Sequence, residues 1–157
     1  MAVTLAQIGA ALKSRFATLG GLPVAWPNVD FKPALTGYIA FSIEHAPVTR
    51  LGFGTWRRHG GTIVATIATG PQTGSGAGDA AADSILALFA ADTLIALPSG
   101  DNLRITDTPS VRGGYRDDAY WRTPITIPFE VLSGDSTVVP PLLAVFDANV
   151  FEAGVFE

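Results

Sequence analysis

The residues with the best claim to chemistry are Gly74-Ser75-Gly76-Ala77-Gly78, which follow a β-branched run and precede an alanine-rich one. A strand, a glycine-rich turn and a helix N-terminus can together cradle a phosphate, because the first N–H groups of a helix have no carbonyl partner and point outward. The chemistry would be nucleotide binding. Against it, the spacing is GxGxG rather than GxGxxG, no Lys-Ser/Thr pair follows, and Asp79 sets a carboxylate where the anion would sit. The run reads instead as part of a flexible loop over Gly70–Gly78, expected to project and to order against a partner.

The other candidates are isolated. His45 and His59 are the only imidazoles, and neither has an HxxxH or HExxH spacing partner; both read as surface or turn residues. Asp117 and Asp118 are adjacent, and neighbours on a strand point to opposite faces, so they are badly placed to share a metal or a proton. They read as a turn. Ser75, Ser84 and Ser110 lack a nucleophile-elbow context. The chain has no cysteine, which removes thiolate nucleophiles, disulfides and Cys-ligated zinc. No catalytic, cofactor-binding or metal-ligating residue is therefore expected, no cofactor is implied, and the chain reads as a non-enzyme. Trp56-Arg57-Arg58-His59 is the one basic cluster. As a hairpin end it would be solvated, and Arg57 and Arg58 are the first places to look for a polar contact with a phosphate or an acidic neighbour.

The elements that would carry these residues read as α+β. Leu5, Ile8, Leu12, Phe16 and Leu19 recur at helical spacing, so a helix is predicted over Leu5–Leu19, with Thr4 as N-cap, Gln7 closing a capping box, and Lys13 and Arg15 solvated. Pro23, Pro27 and Pro33 mark an edge segment or loop in which Trp26 and Phe31 cap the core. Strands are predicted at Tyr38–His45, weakly at Leu51–Thr55, and at Thr62–Thr69 after a break at Gly60-Gly61. A second helix is predicted from an Asp79 N-cap to about Ala91. Leu103–Thr106, Val111–Tyr115 and Trp121–Val131 follow as strands. Pro124 and Pro128 share one register of the last, which argues for an edge strand or one paired on a single side, open to further pairing.

From Ser133 the pattern changes. The segment to Glu157 has no lysine or arginine and is rich in large apolar residues, among them Leu142, Leu143, Phe146, Phe151 and Phe156. A main domain over 1–132 and a hydrophobic C-terminal arm over 133–157 are expected, the arm lying on its own domain or on the next subunit. Across the chain 48% of residues are hydrophobic and only 15% charged, against about 25% charged in an ordinary soluble domain. So little polar material implies apolar surface covered by a partner. A net charge of −4 disfavours tight nucleic-acid binding, leaving DNA only in transit. No signal peptide is expected from the N-terminal residues, and no stretch is long and apolar enough for a membrane helix.

The order of these features resembles a known family. A first helix, then Pro23-Val24-Ala25-Trp26-Pro27-Asn28 and Phe31-Lys32-Pro33, a strand, Arg57-Arg58-His59-Gly60-Gly61 leading into a β-branched strand, and a glycine-rich loop before Ala82-Asp83 with Ile85 and Phe89 are similar to the tail terminators of siphophages and gene transfer agents. The resemblance covers approximately Leu5 to Val131. It implies a central, mostly antiparallel sheet flanked by two helices. It also implies a virion protein made in the host cytoplasm, whose hexameric ring caps the tail tube, ends its polymerisation and offers a head–tail joining surface to connector or neck proteins. No catalytic residues come with it. Partner contacts would fall on Arg57, Arg58, Gly74, Gly76, Gly78 and the arm residues Leu142, Leu143, Phe146, Phe151 and Phe156. The alternatives are another neck protein, such as a connector adaptor or head-completion subunit, and a nucleotide-binding enzyme using Gly74–Gly78.

Overall fold

The computed structural model describes residues 2–52, 54–71 and 75–134. Its frame is a long antiparallel ladder between two strands far apart in sequence, β4 (Arg57–Thr69) and β9 (Tyr120–Ser133). On the outer side of β4 lie β2 (Gly37–His45) and the short β3 (Thr49–Arg50). On the outer side of β9 lie β6 (Asn102–Ile105), β7 (Ser110–Val111) and β8 (Tyr115–Asp117). The edges are β1 (Val24–Ala25), parallel to β2, and β5 (Leu94–Ala96), antiparallel to β6. Two helices, α1 (Leu5–Ala17) and α2 (Gly76–Leu88), complete the α+β fold.

The alternation of β4 and β9 decides where the core sits. Ile63, Ala65 and Ile67 stand opposite Ile127, Ile125 and Thr123, and with Ile39 and Phe41 of β2 they form one apolar face. Both helices pack on that face. Ile8, Leu12 and Phe16 of α1 and Ala82 and Ile85 of α2 are buried in the same cluster as the sheet residues. Phe16 is its hub, with ring centroids 4.8 Å from Phe41, 5.9 Å from Phe89 and 6.2 Å from Trp26. Trp26 therefore does cap the core, whereas Phe31 packs 5.2 Å from Tyr38 on the opposite side of β2. That opposite face, with Thr62, Val64, Thr66, Pro124, Thr126 and Pro128, is half-buried and carries no helix among the described residues.

The helices begin and end for local reasons. Thr4 accepts from the Gln7 N–H and Gln7 returns a bond to the Thr4 N–H, the expected capping box. Arg15 is not solvated. Its Nε and Nη2 donate to the Leu88 carbonyl at 2.9 and 2.8 Å, so the cation sits at the C-terminal, negative end of α2 and ties the helices together. The second helix starts earlier than its carboxylate suggests. Ser75 is the N-cap position, Gly76 and Gly78 are helical, and Asp79 lies in the first turn. Gly78 is buried, and a Cβ there would come within 3.6 Å of Thr123 and 3.7 Å of Thr69. Both are ordinary contact distances, so the packing of helix on sheet at Gly78 does not itself demand glycine.

Three strand expectations are corrected. The weak strand at Leu51–Thr55 is instead Thr49–Arg50, hydrogen-bonded back through Leu51 N–H to the Trp56 carbonyl. Gly60-Gly61 does not break the chain, because β4 runs through it in register with both neighbours. The last strand is not an edge. Its prolines do mark a weak side: the Pro124 and Pro128 carbonyls accept from Arg112 and Thr106, so their missing N–H groups fall on the side of β6–β8, not on that of β4. Three short strands with gaps between them, rather than one long one, occupy that side.

Candidate functional site

In the strand–loop–helix segment, Gly76 and Gly78 lie in the first turn of α2, Gly78 is buried against the sheet, and Asp79 sets a carboxylate beside the N–H groups that an anion would need. Gly74 lies outside the described residues. Among the described residues no group of three or more His, Asp or Glu side chains could hold a metal. Asp117 belongs to the β8–β9 hairpin and lies 2.6 Å from Arg122 Nε, placed off the hydrogen-bond direction, so the contact is an ion pair. Asp118, at φ 55°, makes the tight turn. Ser84 donates to the Ala80 carbonyl one turn back, and Ser110 lies in β7.

The basic cluster is divided by the alternation of β4. Arg58 faces the helix-free side and pairs with Glu130 of β9 at 2.9 Å, a half-exposed contact that contributes little to stability. Arg57 and His59 face the other way and line a cavity of about 320 Å³ with Ala2, Val3, Thr55, Ser133 and Gly134. His59 is 8% exposed, so it is a buried strand residue and not a surface or turn one. Its Nδ1 has no hydrogen-bond partner among the described residues. Burial first, and then the Arg57 guanidinium, hold its pKa below the ordinary 6.5, against the opposing pull of Asp101. The unfolded chain therefore binds this proton more readily than the folded one, and stability from this group is complete above the ordinary imidazole range and lost as pH falls below it. Melting of the wild type against His59→Leu between pH 7 and 5 should show the wild type losing stability more steeply, by up to about 1.4 kcal/mol per pH unit, the limit for one proton.

Exposed apolar groups gather at the two ends of the long strands. At one end are Val48, Leu51, Trp56 and Leu132; at the other are Tyr115 and Trp121, with Leu35 on the adjoining loop 86% exposed. Trp56 lies over Gly134, where the described chain ends, closely enough that any Cβ there would strike the indole. The arm candidates Leu142, Leu143, Phe146, Phe151 and Phe156 lie outside the described residues.

A third feature escaped sequence reasoning. β1 covers β2 only at Ile39 and Ala40, and then Pro27 and Asn28, the latter at φ 56°, turn the chain away. The rest of that edge faces a groove of about 540 Å³ along α1, lined by Leu5, Ala6, Gly9, Ala10, Lys13, Pro27, Ser42, Ile43 and His45. The only sequence signal was the row Ala6, Gly9, Ala10 on the side of α1 away from its apolar stripe. Taken together, the described residues offer open sheet edges and exposed apolar groups at the ends of the long strands.

Comparison with known proteins agrees in kind. A family model described as "Phage tail terminator protein" matches residues 7–129. A solved structure superposes with a TM-score of 0.69 at 25% sequence identity, over 83% of this chain and 96% of that one. No curated protein matches.

Proposed function

This chain belongs to the phage tail terminator family, a structural component of phage tails, and from that membership we propose that six copies close into a ring on the end of the tail tube, stop its growth and present a surface for joining to the head. The family match over 7–129 carries the reading. Three features of the chain support it. Charged residues are scarce, apolar side chains are exposed at both ends of the long strands, and among the described residues no strand pairs with the edge of β2 beyond Ala40. A closed ring joins two different faces of each subunit, and this chain has different apolar surfaces at its two ends to offer. The acidic balance suits a conduit that DNA passes without sticking.

Tails assembled without this protein should be overlong and fail to join heads, and adding the purified chain during assembly should restore a single length by electron microscopy. Tails of normal length in its absence would end the capping account. If heads then leaked DNA, the neck-protein alternative would take its place.

A further inference from the structure

We propose that the groove between α1 and the open edge of β2 receives residues 135–157 of a neighbouring copy as an added strand. The proposal rests on the ring reading and names the contact that would close it.

Backbone parity sets what the groove needs. In an antiparallel strand the N–H and C=O of one residue point to the same side, and sides alternate along the chain. Ile39 N–H donates outward to the Pro23 carbonyl, and Ala46 N–H donates inward to Gly60. Ile43 and His45 share the parity of Ile39, so their backbone groups point outward, where no strand pairs with β2 beyond Ala40 among the described residues. Such an edge is satisfied by strand addition, the main chain giving affinity and alternate side chains giving choice. The wall opposite is the small-residue side of α1, Ala6, Gly9 and Ala10, which leaves room for large apolar side chains. Lys13 and His45 stand on the rim.

Residues 135–157 have the matching chemistry. They contain four carboxylates, no lysine or arginine, and the apolar run Leu142-Leu143-Ala144-Val145-Phe146 between Pro140-Pro141 and Asp147. That run has the length of an ordinary strand. The exit of the chain favours a neighbour's groove over its own. Ser133 pairs with Arg57, whose other partner is Arg50 of β3, and Trp56 lies over Gly134. To reach its own β2 edge the chain would have to cross β4 and β3 past that indole.

The chain has no cysteine, so introduced thiols are the only ones. Copies carrying Ala10→Cys should be mixed with copies carrying Leu143→Cys or Ala144→Cys, two neighbours that between them present a thiol to either face of an added strand. They are then treated with a short bismaleimide and run on a denaturing gel beside a native mass measurement. A covalent dimer between the two kinds of copy is expected, with at least one of the two arm variants. Truncation after Gly134 should leave a cooperatively melting domain that no longer forms a ring. A ring without the cross-dimer, a ring that survives truncation, or a crosslink found only within a single doubly substituted chain would overturn the groove assignment. A cross-dimer without a ring would keep the groove and overturn the ring. Failure of both would overturn both.

Discussion

Phe16→Ala is expected to lower the unfolding free energy by about 3–5 kcal/mol, the range for truncating a buried aromatic residue. Phe16 is fully buried and touches a ring from each layer of the core: Phe41 on the sheet, Phe89 just past the second helix, and Trp26 on the edge segment. Removing it costs the transfer energy of the ring and leaves a cavity that α1, fixed by its capping box and by the Arg15–Leu88 bonds, can fill only by moving as a unit. A whole domain of this size has only about 5–15 kcal/mol to lose. Urea unfolding followed by tryptophan fluorescence, with Trp26 beside the lesion, should give a much lower midpoint at an unchanged slope. A midpoint shift worth less than about 1 kcal/mol would mean that Phe16 is not the hub of the core.

Gly61→Ala should be nearly as damaging, and Gly60→Ala should not. A Cβ on Gly61 would lie 2.5 Å from the Glu44 carbonyl oxygen and 2.6 Å from the Phe129 ring. The first is backbone of a paired strand and cannot swing away, so the cost belongs at or above the top of the overpacking range, about 3 kcal/mol. A Cβ on Gly60 would meet nothing nearer than 3.8 Å. That position lies inside a strand without positive φ, where alanine restricts the unfolded chain and should be neutral or stabilising by up to about 1 kcal/mol. Melting of the two variants side by side is the check. Equal effects would show that close packing at β4 does not distinguish the pair.

The same two residues show what the sequence could and could not tell. Read locally, Gly60-Gly61 is a chain breaker, and the need for a bare backbone at Gly61 becomes visible only when β2 and β9 are laid beside it. The helices were legible because their signals are local. The stripe Ile8, Leu12, Phe16 and the Thr4–Gln7 box act within a few residues of one another. The β-branched alternation of β2 and β4 was legible for the same reason. Pro124 and Pro128 were read correctly as losing donors on one side. The error was to assume that a side without donors has no neighbours, when short interrupted strands fill it. His59 looked like a turn residue because strand length was judged from β-branching, and the Trp56–Gly61 stretch has none. Gly76 and Gly78 looked like loop because glycine usually is, yet both lie in the first turn of α2, with Gly78 buried against the sheet. The groove beside β2 could not be foreseen from the row of small residues on α1 alone. It exists because β1 stops short, and no sequence rule sets the length of a partner strand.

The pairing of β4 with β9 also sets an order of events on the ribosome. β2 and β4 are close in the chain and can meet as soon as Thr69 has emerged, but β9 begins only at Tyr120. Closing so large a loop is entropically costly and slow compared with forming the local pair. Until the last strand is synthesised, the whole far side of β4 remains an unprotected template beside Ile63, Ala65 and Ile67. The nascent chain is then most prone to stick to other nascent chains, and a slow translation rate or a chaperone should matter more to its yield than the stability of the finished domain.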